Sequence, residues 1–157
     1  MKLFLINSCL ALGYMGIQGQ FTLSGVLVGF ALGYAVLWIA QPLYGTSRYF
    51  ERTPKTARLL GYFLMDLFLS NLRVLWDVVT PRHISRPGIV GIPLNARTDL
   101  EILLVANLIS LTPGTLSIDL SEDRRTLYVH VMFLDDPDRF RQSIQNGLER
   151  RILEVVR

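Results

Sequence analysis

Residues 22–40 read TLSGVLVGFALGYAVLWIA, apolar or small throughout and without a charge. A helix rises about 1.5 Å per residue and needs roughly 20 such residues to cross a bilayer core. A buried helix of a soluble protein this size rarely runs so far without a polar face. The stretch is therefore read as a membrane helix. It sits in a wider gap: Lys2 is followed by no charged residue until Arg48.

Outward from this run, residues 3–17 form a shorter apolar segment, interrupted by Asn7 and Ser8. Gln18, Gly19, Gln20 and Phe21 make a tight, uncharged turn between the two. The pair reads as a transmembrane α-hairpin over 1–45. Gly25, Gly29 and Gly33 recur every fourth residue and share one helix face. In lipid, such a face lets a partner helix approach closely.

Arg48, Arg52, Lys55 and Arg58 follow against Glu51 alone. Cations accumulate on the cytoplasmic side, so this basic loop and Lys2 are expected there. Residues 59–79 carry Tyr62, Asp66, Ser70, Arg73 and Asp77 on one face at helical spacing, with Leu, Phe, Met, Val and Trp opposite. That pattern fits an interfacial helix, apolar face down, or a third span with its stripe against a protein partner. Two spans and an interfacial helix keep every nearby cation, including Arg82, His83 and Arg86, on one side, and that reading is preferred. The middle part is thus 46–81, a basic loop and an amphipathic helix that is a possible third span.

Thr80-Pro81 closes the helix, and 82–157 reads as a small cytoplasmic α+β domain. Residues 89–94 make a strand. Thr98-Asp99-Leu100-Glu101 is a capping box; the helix it starts is apolar on nearly all sides. Thr112-Pro113-Gly114-Thr115 fits a type II turn. Leu116, Ile118 and Leu120 alternate with polar residues, as do Leu127, Val129, Val131 and Phe133, which predicts a hairpin. Asp136-Pro137 starts a final helix with Phe140, Ile144, Leu148, Ile152 and Val155 on its apolar side and Arg139, Arg141, Gln145, Glu149 and Arg150 on the other. The order β-α-β-β-α is that of a ferredoxin-like domain lacking its last strand.

Charge divides accordingly. Through Arg97 the balance is +6; from Thr98 it is −3, within a total of +3. No basic stripe interleaves with aromatics, which argues against nucleic acid. The single cysteine, Cys9, rules out an internal disulfide framework. The apolar stretch before it is too short for a lipoprotein signal. His83 and His130 lack neighbours at metal-ligand spacing. Asp135, Asp136 and Asp138 sit where carboxylates favour a helix dipole. No nucleophile–base arrangement suggests an enzyme, and no metal or cofactor is expected.

Four stretches together carry a resemblance: Asn71-Leu-Arg-Val-Leu-Trp-Asp-Val, Arg86-Pro-Gly-Ile-Val, Ala106-Asn-Leu-Ile-Ser-Leu-Thr-Pro-Gly-Thr-Leu-Ser and Leu127-Tyr-Val-His-Val. In order, spacing and total length they resemble the E subunit of the Mrp-type multisubunit monovalent cation/proton antiporters. The resemblance implies a small component of a large complex in the cell membrane that exchanges Na+ or another monovalent cation for protons. Its partners would be the other subunits and lipid. It carries no defined catalytic residues.

The residues themselves nominate Asp66, Arg73 and Asp77 as contacts to an ion path or to a neighbouring subunit, with Arg73 and Asp77 able to pair at i, i+4. Gly25, Gly29 and Gly33 are the expected helix-packing face, and Thr112, Pro113 and Gly114 a structural turn. Two spans cannot enclose a gated pathway alone. The readings left open are an accessory antiporter subunit, a stand-alone membrane-anchored adaptor whose cytoplasmic domain binds a partner, and a self-associating small transporter.

Overall fold

A computed structural model describes residues 2–19, 21–45, 47–81 and 84–157. The expected roles of Arg82 and His83 lie outside the described residues. The chain divides into two compact units, 1–54 and 55–157.

The first unit holds α1 (Lys2–Gln18), α2 (Leu23–Ile39), the short α3 (Gln41–Tyr44) and the first residues of α4 (Arg48–Val79). Thr22 caps α2 by accepting from the Gly25 amide at 3.1 Å. Asn7, Ala11 and Met15 of α1 and Gly29, Gly33 and Leu37 of α2 are buried. Both sets repeat every fourth residue, so two narrow seams meet. A Cβ on Gly29 would come within 3.0 Å of the Ala11 Cα and carbonyl oxygen. One on Gly33 would overlap Asn7 Oδ1. Gly29 and Gly33 are thus packed within the hairpin, against α1. Gly25, half-buried, lies with Tyr14 and Gln18 around a polar notch at the hairpin's turn.

Asn7 is fully buried and donates from Nδ2 to the Tyr49 hydroxyl at 2.7 Å. Tyr34 and Tyr49 each meet Phe50 edge to face, with centroids 5.3 Å apart, and are tilted to one another at 5.8 Å. Asn7 Oδ1 has no hydrogen-bond partner. It faces the Gly33 backbone, where a weak Cα–H contact is the available substitute. Read from sequence, Asn7 only interrupts an apolar run; here it is the polar centre of the packing.

The basic segment expected as a loop is helical. Helix α4 starts at Arg48 and runs unbroken for 32 residues to Val79, with Pro54 inside. Pro54 has no amide to donate to the Phe50 carbonyl one turn back. The helix is about 48 Å long at the usual rise. It is long and apolar enough to cross a membrane, and its apolar window is not buried by the rest of the chain. Helices α1 and α2, at 17 residues each, sit at the lower end of the crossing range.

In the second unit, β1 (Gly88–Pro93), β2 (Thr115–Leu120) and β3 (Thr126–Val131) form one antiparallel sheet in the order β1-β3-β2. Helix α5 (Asp99–Leu111) carries the expected capping box: Thr98 Oγ1 accepts from the Glu101 amide at 3.3 Å while the Glu101 side chain reaches back. Val90, Ile92, Leu127, Val129 and Val131 of the sheet meet Val105 and Ile109 of α5 and Leu148 and Ile152 from the C-terminal helices. The α5 apolar surface is only half covered. Leu100, Leu103 and Leu111 remain exposed.

Strand β2 inverts its expected facing at Leu116 and Ile118, whereas Leu120 packs on the core as expected. Leu116 and Ile118 are exposed, and Ser117 turns inward. Its Oγ donates to the Ala106 carbonyl at 2.9 Å, and its amide donates to Ser110 Oγ at 3.0 Å. The strand edge lies against the α5 backbone, a separation that a serine fits and a leucine does not. A bulge between Ser117 and Asp119 follows. On the other sheet edge, Arg141 Nε donates to the Gly91 carbonyl at 2.9 Å and Gln145 Nε2 to the Pro93 carbonyl at 2.7 Å. These side chains blunt β1 against further pairing.

The final helix is not continuous. Helix α6 (Pro137–Ser143), capped by Asp136, runs into a π-helical turn at Ile144–Glu149 and then α7 (Arg150–Val156). The wider turn rotates the residues beyond it about the helix axis. Glu149, expected on the polar side, is fully buried.

Candidate functional site

Four of the five stripe residues come together on a cavity of about 260 Å³ within the second unit. Helix α4 contributes Tyr62, Asp66, Ser70 and Arg73; the α5–β2 turn contributes Thr112, Pro113, Gly114 and Thr115. Phe140, Ser143, Ile144 and Leu148 close it from α6 and the π turn. Two motifs some 40 residues apart thus share one wall. The stripe faces the chain's own α+β domain, an arrangement that sequence periodicity leaves open between lipid and a neighbouring subunit.

Two contacts set how close α4 lies. Leu59 and Tyr62 pack on the domain core. The Arg151 guanidinium stands 4.0 Å over the Tyr62 ring, a cation–π contact. Gly147 makes room, since a Cβ there would lie 2.6 Å from the Tyr62 hydroxyl. Asp66 is half-buried and Arg73 exposed at the cavity's rim.

Asp77 does not join them. It is 2% exposed and accepts from the amides of Ile84 at 2.5 Å and Ser85 at 3.1 Å. Its carboxylate therefore organises the exit from α4 instead of pairing with Arg73.

The turn's hydroxyls are committed too. Thr115 donates its amide to the Thr112 carbonyl at 3.1 Å, with Gly114 at φ 85°. That positive φ is what a type II turn demands at its third residue. Thr115 Oγ1 donates to the Ile109 carbonyl at 2.6 Å, and Thr112 Oγ1 to the Leu108 carbonyl at 3.1 Å. Both satisfy the open end of α5. Ser143 Oγ likewise donates to the Phe140 carbonyl at 2.8 Å, so the cavity's polar character comes from α4.

A second polar cluster is legible in the sequence only through its capping box, Thr98 with Glu101. The loop 95–98 donates four consecutive amides to two buried carboxylates. Asn95 and Ala96 donate to Glu149 Oε1 at 2.5 and 2.8 Å; Arg97 and Thr98 donate to Glu101 Oε2 at 2.8 and 3.2 Å. Arg157 Nε donates to Glu101 Oε1 at 3.0 Å. The bond from Arg157, then those from the Arg97 and Thr98 amides, hold the Glu101 carboxyl down at about 2 against the opposing effect of burial. Its folded value is below the unfolded one, so its contribution is complete above about pH 4.5 and disappears as pH falls through about 2. Acid unfolding of wild-type protein and Glu101→Gln, followed by circular dichroism, is expected to show a stability gap that closes across that window. A gap constant with pH would remove the assignment.

The profile of the Na+/H+ ion antiporter subunit family matches residues 7–155. The chain belongs to that family. It is 33% identical over 153 residues to the Na(+)/H(+) antiporter E subunit of Alkalihalophilus pseudofirmus, covering 98% of this chain and 97% of that one. The Bacillus subtilis E subunit is 32% identical with the same coverage. Among solved structures, a chain of the Mrp complex from Dietzia sp. DQ12-45-1b superimposes with a TM-score of 0.51 at 30% identity, over 65% of this chain and 96% of that one. A chain of the archaeal membrane-bound sulfane sulfur reductase superimposes with a TM-score of 0.57 over 96% of both chains. At 18% identity that likeness concerns the fold alone. Family membership makes the chain a component of a transporter complex.

Proposed function

We propose that this member of the E-subunit family is an accessory, structural component of a multisubunit Na+/proton antiporter in the cell membrane. In this reading α1 and α2 span as a hairpin, the N-terminus and the α+β domain are cytoplasmic, and the domain is a ferredoxin-like unit without its last strand. The cation excess around Arg48–Arg58 supports the orientation, and the strand order β1-β3-β2 supports the layout. The match to antiporter E subunits along nearly the whole chain carries the functional reading. An unpartnered apolar face on α4 (Leu64, Phe68, Leu72, Leu75 and Trp76, all exposed) agrees with burial in lipid or against other subunits.

Co-purification is the test. The tagged chain, extracted in mild detergent, should bring the large antiporter subunits with it. Recovery only as a stable monomer would favour the adaptor, whose partner would sit on the exposed sheet face of Ile89, Leu116, Ile118 and Tyr128.

Asp66 and Arg73 serve, in this reading, to seat α4 on the domain rather than to carry ions. Asp66→Ala is expected to lower exchange in membrane vesicles by no more than about threefold, the loss of roughly one half-exposed polar contact. Abolished exchange in a fully assembled complex would make Asp66 part of the ion path.

A further inference from the structure

The β2–β3 turn and the loop 95–98 face each other across a cleft of about 710 Å³ lined by Arg97, Arg124, Arg125 and Asp123. Arg97 ends the basic part of the chain, and Arg124 and Arg125 run against the acidic balance of the part that follows it. Asp123 is committed to the turn, accepting from Ser121 Oγ at 2.6 Å and the Arg125 amide at 3.2 Å. Arg124, in left-handed backbone at φ 59°, pairs with exposed Asp99. Among the described residues, the guanidinia of Arg97 and Arg125 form no ion pair.

Hydrogen bonds fix the wall that carries Arg97. Four amides of loop 95–98 end on buried Glu101 and Glu149, and the Leu94 amide donates to the Arg125 carbonyl at 2.7 Å. Burying two carboxylates costs free energy unless they are fully bonded. Here that cost holds one short loop in shape, and the loop presents Arg97 to solvent beside Asn95 and Thr98. Guanidinium forks match phosphate and carboxylate oxygens. A carboxylate has two oxygens and fills one fork; a phosphate can engage several at once.

We propose that Arg97, Arg124 and Arg125 form a binding cleft for a phosphate group, carried either by an anionic lipid headgroup or by a soluble phosphate. The cleft is separate from the Asp66 cavity, and its existence does not depend on the antiporter assignment.

The test uses the full chain in nanodiscs, read by the arginine Nε–H signals in NMR. One arm titrates inorganic phosphate into phosphatidylcholine discs; the other adds phosphatidylglycerol to the discs. Movement of the Arg97 and Arg125 signals with inorganic phosphate supports a soluble phosphate; movement only with phosphatidylglycerol supports a headgroup. The Arg97→Gln/Arg125→Gln double variant, read at Arg124, is expected to bind at least about tenfold more weakly. Arg97→Lys, which keeps charge and loses the fork, should lose less than Arg97→Gln. Silence in both arms of the wild-type titration overturns the proposal whatever the variants do. So does an unchanged response in the double variant, or binding of a polyglutamate peptide with both phosphate arms silent.

Discussion

Replacing Gly29 with leucine is expected to separate α1 from α2 and abolish incorporation of the chain into its complex, while the α+β domain stays folded. The contact at stake is backbone on backbone: the Ala11 Cα and carbonyl oxygen stand 3.0 Å from where a Cβ would be built. Neither can swing aside as a side chain can. Overpacking of a rigid contact by a few methylenes costs about 1–3 kcal/mol or more, and a leucine adds its whole side chain at the seam's narrowest point. Without a hydrophobic driving force in lipid, close packing is the main attraction between such helices. Gly33 should be the milder site, because Asn7 Oδ1, its nearest neighbour, belongs to a side chain that can rotate at the expense of its bond to Tyr49. Native gels of the assembled complex and proteolysis of the domain check this together. Equal assembly of wild type and Gly29→Leu would show that the hairpin packs otherwise.

Glu149→Ala is expected to destabilise the α+β domain by about 2–4 kcal/mol, since hydrogen bonds to a charged group are worth about 1.5–3 kcal/mol and an orphaned buried amide adds to that. The carboxylate is fully buried and accepts from Asn95 and Ala96 amides and from Asn95 Nδ2 at 3.2 Å. Its loss leaves the buried Ala96 amide without an acceptor. Glu149→Gln keeps one carbonyl oxygen in place and should recover part of the loss. Thermal unfolding of the three proteins and amide exchange at Asn95 and Ala96 measure it. Fast exchange confined to those amides would locate the damage in the loop; unchanged exchange there would remove Glu149 from its role.

Both predictions rest on features that one-dimensional patterns hide. The glycine repeat is visible at positions 25, 29 and 33, but periodicity names a face, not the helix that meets it. Here α1 does, because its own small residue, Ala11, lies opposite Gly29. Glu149 is misplaced by its sequence pattern for a different reason. Projection at 100° per residue assumes an unbroken α-helix, and the π turn at 144–149 breaks that assumption. Nothing in Ile-Gln-Asn-Gly-Leu-Glu announces it except Gly147, which the approach of Tyr62 explains only once α4 is in place. The facing of β2 fails likewise: alternation is correct, but Ser117 turns inward because α5 lies against it.

Features decided within a few residues are legible. Thr98 with Glu101, Asp136 before Pro137, and the Thr112–Thr115 turn all appear where the sequence predicts them. Each rests on a side chain meeting a backbone group three or fewer positions away, or on a glycine's access to positive φ. The charge-free stretch from 3 to 47 likewise determined by itself that the first unit is apolar, since composition alone sets that. What tertiary structure decided is who meets whom. It set α1 against the glycines, the stripe of α4 against the domain's own cavity, Asp77 against the Ile84 and Ser85 amides, and two buried carboxylates against one loop. Those pairings depend on distances between residues as much as 89 positions apart, as for Tyr62 and Arg151, and such distances exist only after the chain has folded.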